Sequence, residues 1–510
     1  MTAEIVRVPV SDSARKWNLF LISMSTVLTT LDATIANVAL PHIQGAMATT
    51  QDQLAWVLTS FIVATAIFMP LTGFLCDRFG QRAVLIPAVF FFTLTSALCG
   101  LAQNLEQLVL FRFLQGMSGA FILPAGQSLI LDIYPPSQYT KALSTWALGT
   151  IIGPILGPTL GGYLTEFFNW RWVFLINLPL GLLVVVGMIM VTPQTPLNKT
   201  RRMDFTGFAF LSLAIAALQL MFDRGESQGW FNSWEIILEG SLAAVFALMF
   251  FAYIGGSKSP YIRLDCFLDR NFAIGTIFIF VNCIVLFSCL ALLPGFLQSL
   301  LGYPVFTSGM LLMPRGIGTL AGIIIINRLG HRLDPRLFIG AGFIFMAYSV
   351  AMMAEFNLEV GMREIVISGF IQGMGLSLGY LPTNILMFSS LAPNLKSDAT
   401  AISGLSRSIA GSLGISILFT LLARNGQAYH ARLGESVTPF QYWLSFPPQW
   451  DWSNPAGAML LNQEVTRQAV MQAYITDFTI IQWLATASLL LLFLIKPVKQ
   501  RQEMPVAIAE

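Results

Sequence analysis

Phe113–Pro124 reads FLQGMSGAFILP, and Phe370–Pro382 reads FIQGMGLSLGYLP. Both stretches lie in long apolar segments and share an aromatic residue, a QGM triplet and a closing proline. A second echo precedes each of them: DRFGQR at Asp77–Arg82 and NRLGHR at Asn327–Arg332. Chance supplies one such match. Two, in the same order and at nearly the same offset, mark a parallel internal repeat.

The composition says what kind of segment is repeated. The chain has 510 residues, 55% of them hydrophobic and only 11% charged, against roughly 25% charged in ordinary soluble domains. A helix crosses about 30 Å of hydrocarbon with about 20 mainly apolar residues. Fourteen windows meet that length: 17–40, 54–75, 83–102, 106–131, 142–165, 173–192, 205–223, 235–255, 272–296, 305–327, 337–355, 364–388, 399–423 and 476–495. They are numbered here as spans 1 to 14. The first is preceded by sixteen mostly polar residues and is too long for a signal-peptide core, so it reads as a retained span. A net charge of +2 offers no polybasic face for nucleic acid. The cysteines Cys76, Cys99, Cys266, Cys283 and Cys289 lack CxxC spacing, so neither a zinc site nor a disulfide framework is expected.

Lys and Arg fall unequally between the connecting segments. Alternate segments counted from the N-terminus hold nineteen, from Arg7 to Arg501; the opposite segments hold six, and Arg112, Arg315 and Arg407 lie within spans. Basic residues stay in the cytoplasm, so both termini are expected there. The echoes fall eight spans apart. This places a six-helix bundle over 17–192, two inserted helices with their linkers over 193–271, and a second bundle over 272–496 that includes an external loop at 425–475. Residues 1–16 and 497–510 read as tails. The expected fold is an all-α membrane protein of two six-helix pseudo-repeats. Parallel repeats around an axis normal to the membrane are the design of rocker transporters, with the binding site between the halves near the midplane.

GFLCDRFGQR (Gly73–Arg82) resembles the cytoplasmic signature of the major facilitator superfamily, and LGTIIGPILGPTLGG (Leu148–Gly162) resembles the glycine-proline signature of its antiporters. LDATIANVALP, WRWVFLINLP (Trp170–Pro179) and SRSIAGSLG (Ser406–Gly414) are similar to the fourteen-helix drug:proton antiporter branch, and within it YPP after span 4, FDRG at Phe222–Gly225 and the overall length most resemble EmrB-type inner-membrane pumps. The resemblance implies the major facilitator fold and proton-driven export of lipophilic toxic compounds. It also implies work with a periplasmic adaptor and an outer-membrane channel.

The residues themselves nominate a coupling site. Asp32 reads as the only Asp or Glu well inside a span. It lies roughly 13 Å below the outer end of span 1, and Arg112 lies roughly 10 Å into span 4 from the same side, so the two are candidates to meet. A charge at the bilayer centre costs at least about 2.5 to 3.5 kcal/mol. The polar face formed by Thr29 and Asp32, with Thr30, Thr34 and Asn37 beside them, is therefore expected to line a cavity. Two readings stay open: Asp32 carries the proton, with Arg112 tuning its affinity, or the pair is a permanent lock between spans 1 and 4.

In the second half the echo keeps Gln372 and Gly373 but has Gly369 where Arg112 would align. Arg315 and Arg407 have no intramembrane acid in that half; either carbonyls and water satisfy them, or they face the cavity and attract an anionic group. The cavity set is thus Thr29, Asn37, Gln115, Arg315, Gln372 and Arg407. Its positive balance favours weakly acidic or neutral lipophilic substrates over permanent cations.

Three further motifs read as machinery. Gly149, Gly153, Gly157 and Gly161, with Pro154 and Pro158 between them, allow close backbone packing and bending of span 5. Gly73, Asp77, Arg78, Gly80 and Arg82, echoed by Asn327 and Arg328, suit a gate that closes and releases on the cytoplasmic side. The aromatic stretch in the last external loop reads as a docking surface for an adaptor, or as a self-packed cap.

No GxxxxGK[ST] phosphate loop or HExxH occurs, so neither ATP drive nor an enzyme is expected, and no cofactor beyond the proton motive force. Repeated pore-lining charges, as in a channel, are not seen. The chain therefore reads as a proton-coupled antiporter in the bacterial inner membrane, surrounded by lipid and exporting lipophilic small molecules. The alternative is a stand-alone exporter of one metabolite, lipid or siderophore.

Overall fold

The computed structural model describes residues 11–49, 51–135, 138–194, 203–256, 262–330, 333–392, 395–437 and 454–495. Every window holds a helix. Twelve are single helices long and apolar enough to cross a membrane; the other two are bent pairs, Trp56–Phe68 with Leu71–Phe79 at 54° and Lys141–Pro154 with Thr159–Phe167 at 41°. Pro70 sits in the first break and Pro154 at the second, where a missing N–H and a bulky ring interrupt the hydrogen-bond ladder. Helix starts are fixed by side-chain caps. Asn104, Asp204, Asp269, Asp334 and Asn454 each accept a backbone N–H from the first turn of spans 4, 7, 9, 11 and 14.

The repeat is visible in the packing. Span 1 packs on spans 5 and 6, span 2 on span 4, and span 3 on spans 4 and 6; span 9 packs on 13 and 14, span 10 on 12, and span 11 on 12 and 14. Each pairing recurs eight helices later. The crossings match in atomic detail as well: a Cβ at Gly116 would strike the carbonyl oxygen of Phe61, and one at Gly373 would strike that of Arg315. Small residues let the backbones of spans 2 and 4, and of 10 and 12, come into contact. Inserted span 7 lies over the seam between the halves, against span 2 on one side and span 13 on the other. Gln219 donates to Ser412, and Thr59 is bonded to Asp223.

Three expectations are corrected here. Residues 12–16 belong to the first helix, which starts at Asp12, rather than to a tail. Residues 425–475 are largely helix rather than loop. Span 13 runs Lys396–Ser436 for 41 residues and span 14 runs Pro455–Ser488 for 34 residues, packed against each other. Together they form a hairpin that projects about 20 Å past the window end at Ala423. The aromatic stretch at its tip, residues 438–453, lies outside the described residues, as do 1–10 and 496–510. Finally, the Thr30–Thr34 stripe lines no cavity: a Cβ at Gly153 would strike Thr30 Oγ1, one at Gly157 would strike Thr34 Oγ1, and one at Gly149 would sit 2.6 Å from the Ser23 carbonyl oxygen. The polar stripe of span 1 is packing surface for the glycine face of span 5.

Gly157→Ala is accordingly expected to destabilise the protein by about 1–3 kcal/mol, the usual cost of overpacking. Thr34→Ala in the same chain should recover most of the loss. Melting temperatures in detergent test this, and no recovery in the double variant would show that another contact sets the cost.

Candidate functional site

Asp32 and Arg112 meet as their depths require. Arg112 Nη1 donates to Asp32 Oδ2 at 2.6 Å, with both side chains buried. The other carboxylate oxygen accepts from Gln115 Nε2 and from Asn177 Nδ2, each at 2.9 Å. Arg112 Nη1 also donates to Gln115 Oε1 at 2.9 Å, and its Nε to the carbonyl of Val57 at 3.2 Å. Its guanidinium lies 4.4 Å from the Phe61 ring centre and 5.5 Å from that of Phe174, an arrangement in which ring faces favour a desolvated cation. Asn177 is held in turn by Ser96 at 3.0 Å. One carboxyl group thus gathers donors from spans 4 and 6 onto span 1, while span 2 supplies an acceptor and a ring.

The cluster lies within the first bundle rather than between the bundles. Asp32, Gln115 and Asn177 are each 0% exposed and Arg112 is 1% exposed. In this conformation the geometry is that of a lock. Taking either charge away leaves the other desolvated, so the lock opens only if a proton neutralises Asp32 or the helices part.

Two members of the expected cavity set, Thr29 and Gln115, are corrected accordingly. Thr29 is buried and bonded to the Ser25 and Thr26 carbonyls of its own helix, and Gln115 belongs to the charge cluster. The Asn37 side chain lies outside the described residues. Arg315 and Gln372 are buried, at 3% and 0% exposure. Arg407 is half-buried and bonds the Tyr380 hydroxyl.

The gate motif divides by role. Gly80 joins spans 2 and 3 with φ at +87°, a conformation that only glycine adopts without strain, whereas Gly330 in the echo is helical at −63°. Arg82 caps the last turn of span 6, donating to the carbonyls of Thr192 and Ile189 at 2.6 and 2.7 Å. It is therefore a fastener inside the first bundle and not a contact between halves. Gln81 donates to Asp132 at 2.6 Å. Gly73 is buried, Asp77 and Arg78 are half-buried at the end of span 2, and Arg328 is exposed.

Three side-chain hydrogen bonds join the halves at the ends of the spans nearest Asp12 and Ile495. Ser144 donates to Asn327 at 2.9 Å, Gln127 to Asn384 at 3.2 Å, and Lys396 to the Tyr139 hydroxyl at 3.2 Å. The halves also touch toward the opposite ends of spans 5 and 10, where a Cβ at Gly309 would lie 3.0 Å from Thr159 Oγ1. In span 5, Pro154 and Gly161 are buried on the same helix as the three packing glycines, while the Pro158 side chain lies outside the described residues.

Several residues escaped the sequence reading. Asn177 looks like an ordinary polar residue at a helix start. Gln127 and Asn384 sit in the echoed segments but just beyond the matched letters. Asp477 overturns the reading of Asp32 as the only acid well inside a span: it is 0% exposed, and neither of its carboxylate oxygens has a partner among the described residues. Span 14 starts at Pro455, so Asp477 is deep in a helix and not at its beginning.

Comparison with known proteins agrees with this architecture. The sequence model described as Major Facilitator Superfamily matches residues 22–415. The chain is 33% identical to the fatty acid resistance protein FarB of Neisseria gonorrhoeae, with 85% of each chain covered. It is 35% identical to the multidrug export protein EmrB of Escherichia coli K12, with 82% of each covered. Among solved structures, an inward-facing bacterial homolog of the human lysosomal transporter Spinster superposes with a TM-score of 0.57 at 15% identity, covering 95% of this chain and 98% of that one.

Proposed function

Because this chain belongs to the major facilitator superfamily, we propose that it is a proton-coupled antiporter that exports lipophilic toxic compounds across the inner membrane, with both termini in the cytoplasm. The Asp32–Arg112 cluster carries this reading. Asp32 is the one acceptor shared by Arg112, Gln115 and Asn177, so adding a proton there loosens spans 1, 4 and 6 together. Removing the proton draws them back. A shift of helices that breaks the pair takes the Arg112 charge away from the carboxylate, and one that restores it brings that charge back. Proton binding and bundle conformation are thereby linked, and coupling needs nothing more than such linkage.

The Ser144–Asn327 and Gln127–Asn384 bonds lie at the face richer in Lys and Arg, which this reading assigns to the cytoplasm. One proton moving inward across 100 mV supplies about 2.3 kcal/mol, enough for roughly a fifty-fold gradient of substrate. In proteoliposomes, an imposed pH gradient is expected to drive export of a lipophilic dye, and a protonophore to stop it. Export that ignores the gradient overturns the proton-coupled reading.

The names of the relatives support drug-like and lipophilic acidic substrates, FarB and EmrB being called fatty acid resistance and multidrug export proteins. The helical hairpin of spans 13 and 14 projects from the face opposite the termini. It gives a periplasmic adaptor a rigid post on which to dock and to lead onward to an outer-membrane channel. Shortening the hairpin by residues 430–465 should abolish co-purification with the adaptor while leaving dye export in proteoliposomes intact; unchanged co-purification would remove the hairpin from the assembly.

A further inference from the structure

The second bundle contains an incomplete copy of the charge cluster. Gln372 stands at the place of Gln115, and Cys289 in span 9 stands at the place of Asp32, both at an offset of 257 residues. The arginine has changed helix. Gly116 packs on the Phe61 carbonyl and Gly373 on the Arg315 carbonyl, so Arg315 occupies the position of Phe61, the residue whose ring covers Arg112. At the position of Arg112 is Gly369, where a Cβ would meet nothing nearer than the Arg315 backbone nitrogen at 3.9 Å. Arg and Gln are thus both present in the second half, and the carboxylate is missing.

The polar atoms are left over to match. Nε, Nη1 and Nη2 of Arg315 are buried and without a partner among the described residues, and the Gln372 side chain is buried in the same half with the Cys289 thiol beside it. Cys289 lies within electrostatic reach of Arg315 and within hydrogen-bonding reach of Gln372. Asp477 is in the same half, but Arg315 is not among the charges acting on it. A buried guanidinium with no acceptor is costly, and one monovalent carboxylate restores the balance of charge and geometry through paired N–H···O bonds. The surrounding core is apolar, with Val285, Leu292, Leu311, Leu312 and Leu376 in the same cluster as Cys289.

We propose that Arg315 and Gln372, beside Gly369, form a binding site for the single carboxylate of a lipophilic acid, which takes the place that Asp32 fills in the first bundle. This deepens the transporter reading and rests on it for the identification of the ligand as cargo. The first half would hold its own acid, and the second would borrow one from the substrate.

The test is equilibrium binding to the full-length protein in phosphatidylcholine nanodiscs, with a fluorescent long-chain carboxylate and its methyl ester as probes. Wild type is expected to prefer the acid by at least about ten-fold, the size of one charge-assisted pair. Arg315→Gln should erase the preference. Cys289→Asp should erase it too, by supplying an internal carboxylate, and should raise the melting temperature; it keeps the question open to test if the arginine variant fails to fold. Equal affinity for acid and ester in wild type, or a preference unchanged in a folded variant, overturns the site. Replacing part of the lipid with phosphatidylglycerol separates the sources of charge. If that lipid abolishes the preference, the site belongs to a headgroup and the cargo assignment fails. No gradient is used, so failure here is distinct from failure of gradient-driven export.

Discussion

Asp32→Asn is expected to abolish export driven by a pH gradient while leaving the protein folded and able to bind dye. Asparagine retains an oxygen for Arg112 but loses the charge and the capacity to exchange a proton, and it replaces the oxygen that accepts from Gln115 and Asn177 with an NH2 donor. Asp32→Ala is harsher, because it leaves a guanidinium that is 1% exposed without its counter-charge, a loss of about 3–5 kcal/mol. The informative variant combines Asp32→Asn with Arg112→Gln. Two neutral amides in place of a buried ion pair restore polar satisfaction, and such replacements are often neutral or stabilising. If the pair is only a lock, this double variant exports against a gradient as wild type does. If Asp32 is the carrier, the double variant melts like wild type and stays uncoupled. Stability and coupling then move separately, which a structural role alone does not allow.

How much of this site was legible depended on what kind of physics held each residue. Lipid imposes a length and an apolar composition on every span, so fourteen windows could be read from hydropathy alone, and the depth of Asp32 against Arg112 followed from the rise per residue. Packing is less legible, because a polar stripe looks the same whether it faces water or glycine. Thr30 and Thr34 face the glycines of span 5, and only the partner helix reveals it. Asp477 was hidden for another reason. The polar first half of a 34-residue helix lowers the window average, which moved the apparent start of the span to its doorstep. The internal repeat showed that Gly369 replaces Arg112, but not that Arg315 reaches the cluster from a different helix, since that exchange is visible only where backbones cross.

Closing one face covalently should stop transport as completely as removing the proton site. Ser144 and Asn327 sit on opposite halves, 2.9 Å apart at their side-chain oxygens. Cysteines at both positions, joined by a short bifunctional thiol reagent, pin span 5 to span 10 at the terminal face. The native thiols compete poorly: all five are free and buried. Desolvation, reinforced by the neighbouring Asp398, pushes the Cys266 thiol up to about 12, which leaves almost no thiolate to react at neutral pH. Export is expected to fall to background on cross-linking and to return on reduction of the linker. Dye added from the side opposite the termini should still bind, because only one face has been pinned. Full transport with the link in place would mean that spans 5 and 10 stay together throughout the cycle, and that the halves separate along the span 2 and span 13 seam beneath span 7 instead. The two outcomes assign opposite roles to the inserted helices, as bystanders in the first case and as the moving cover of the substrate path in the second.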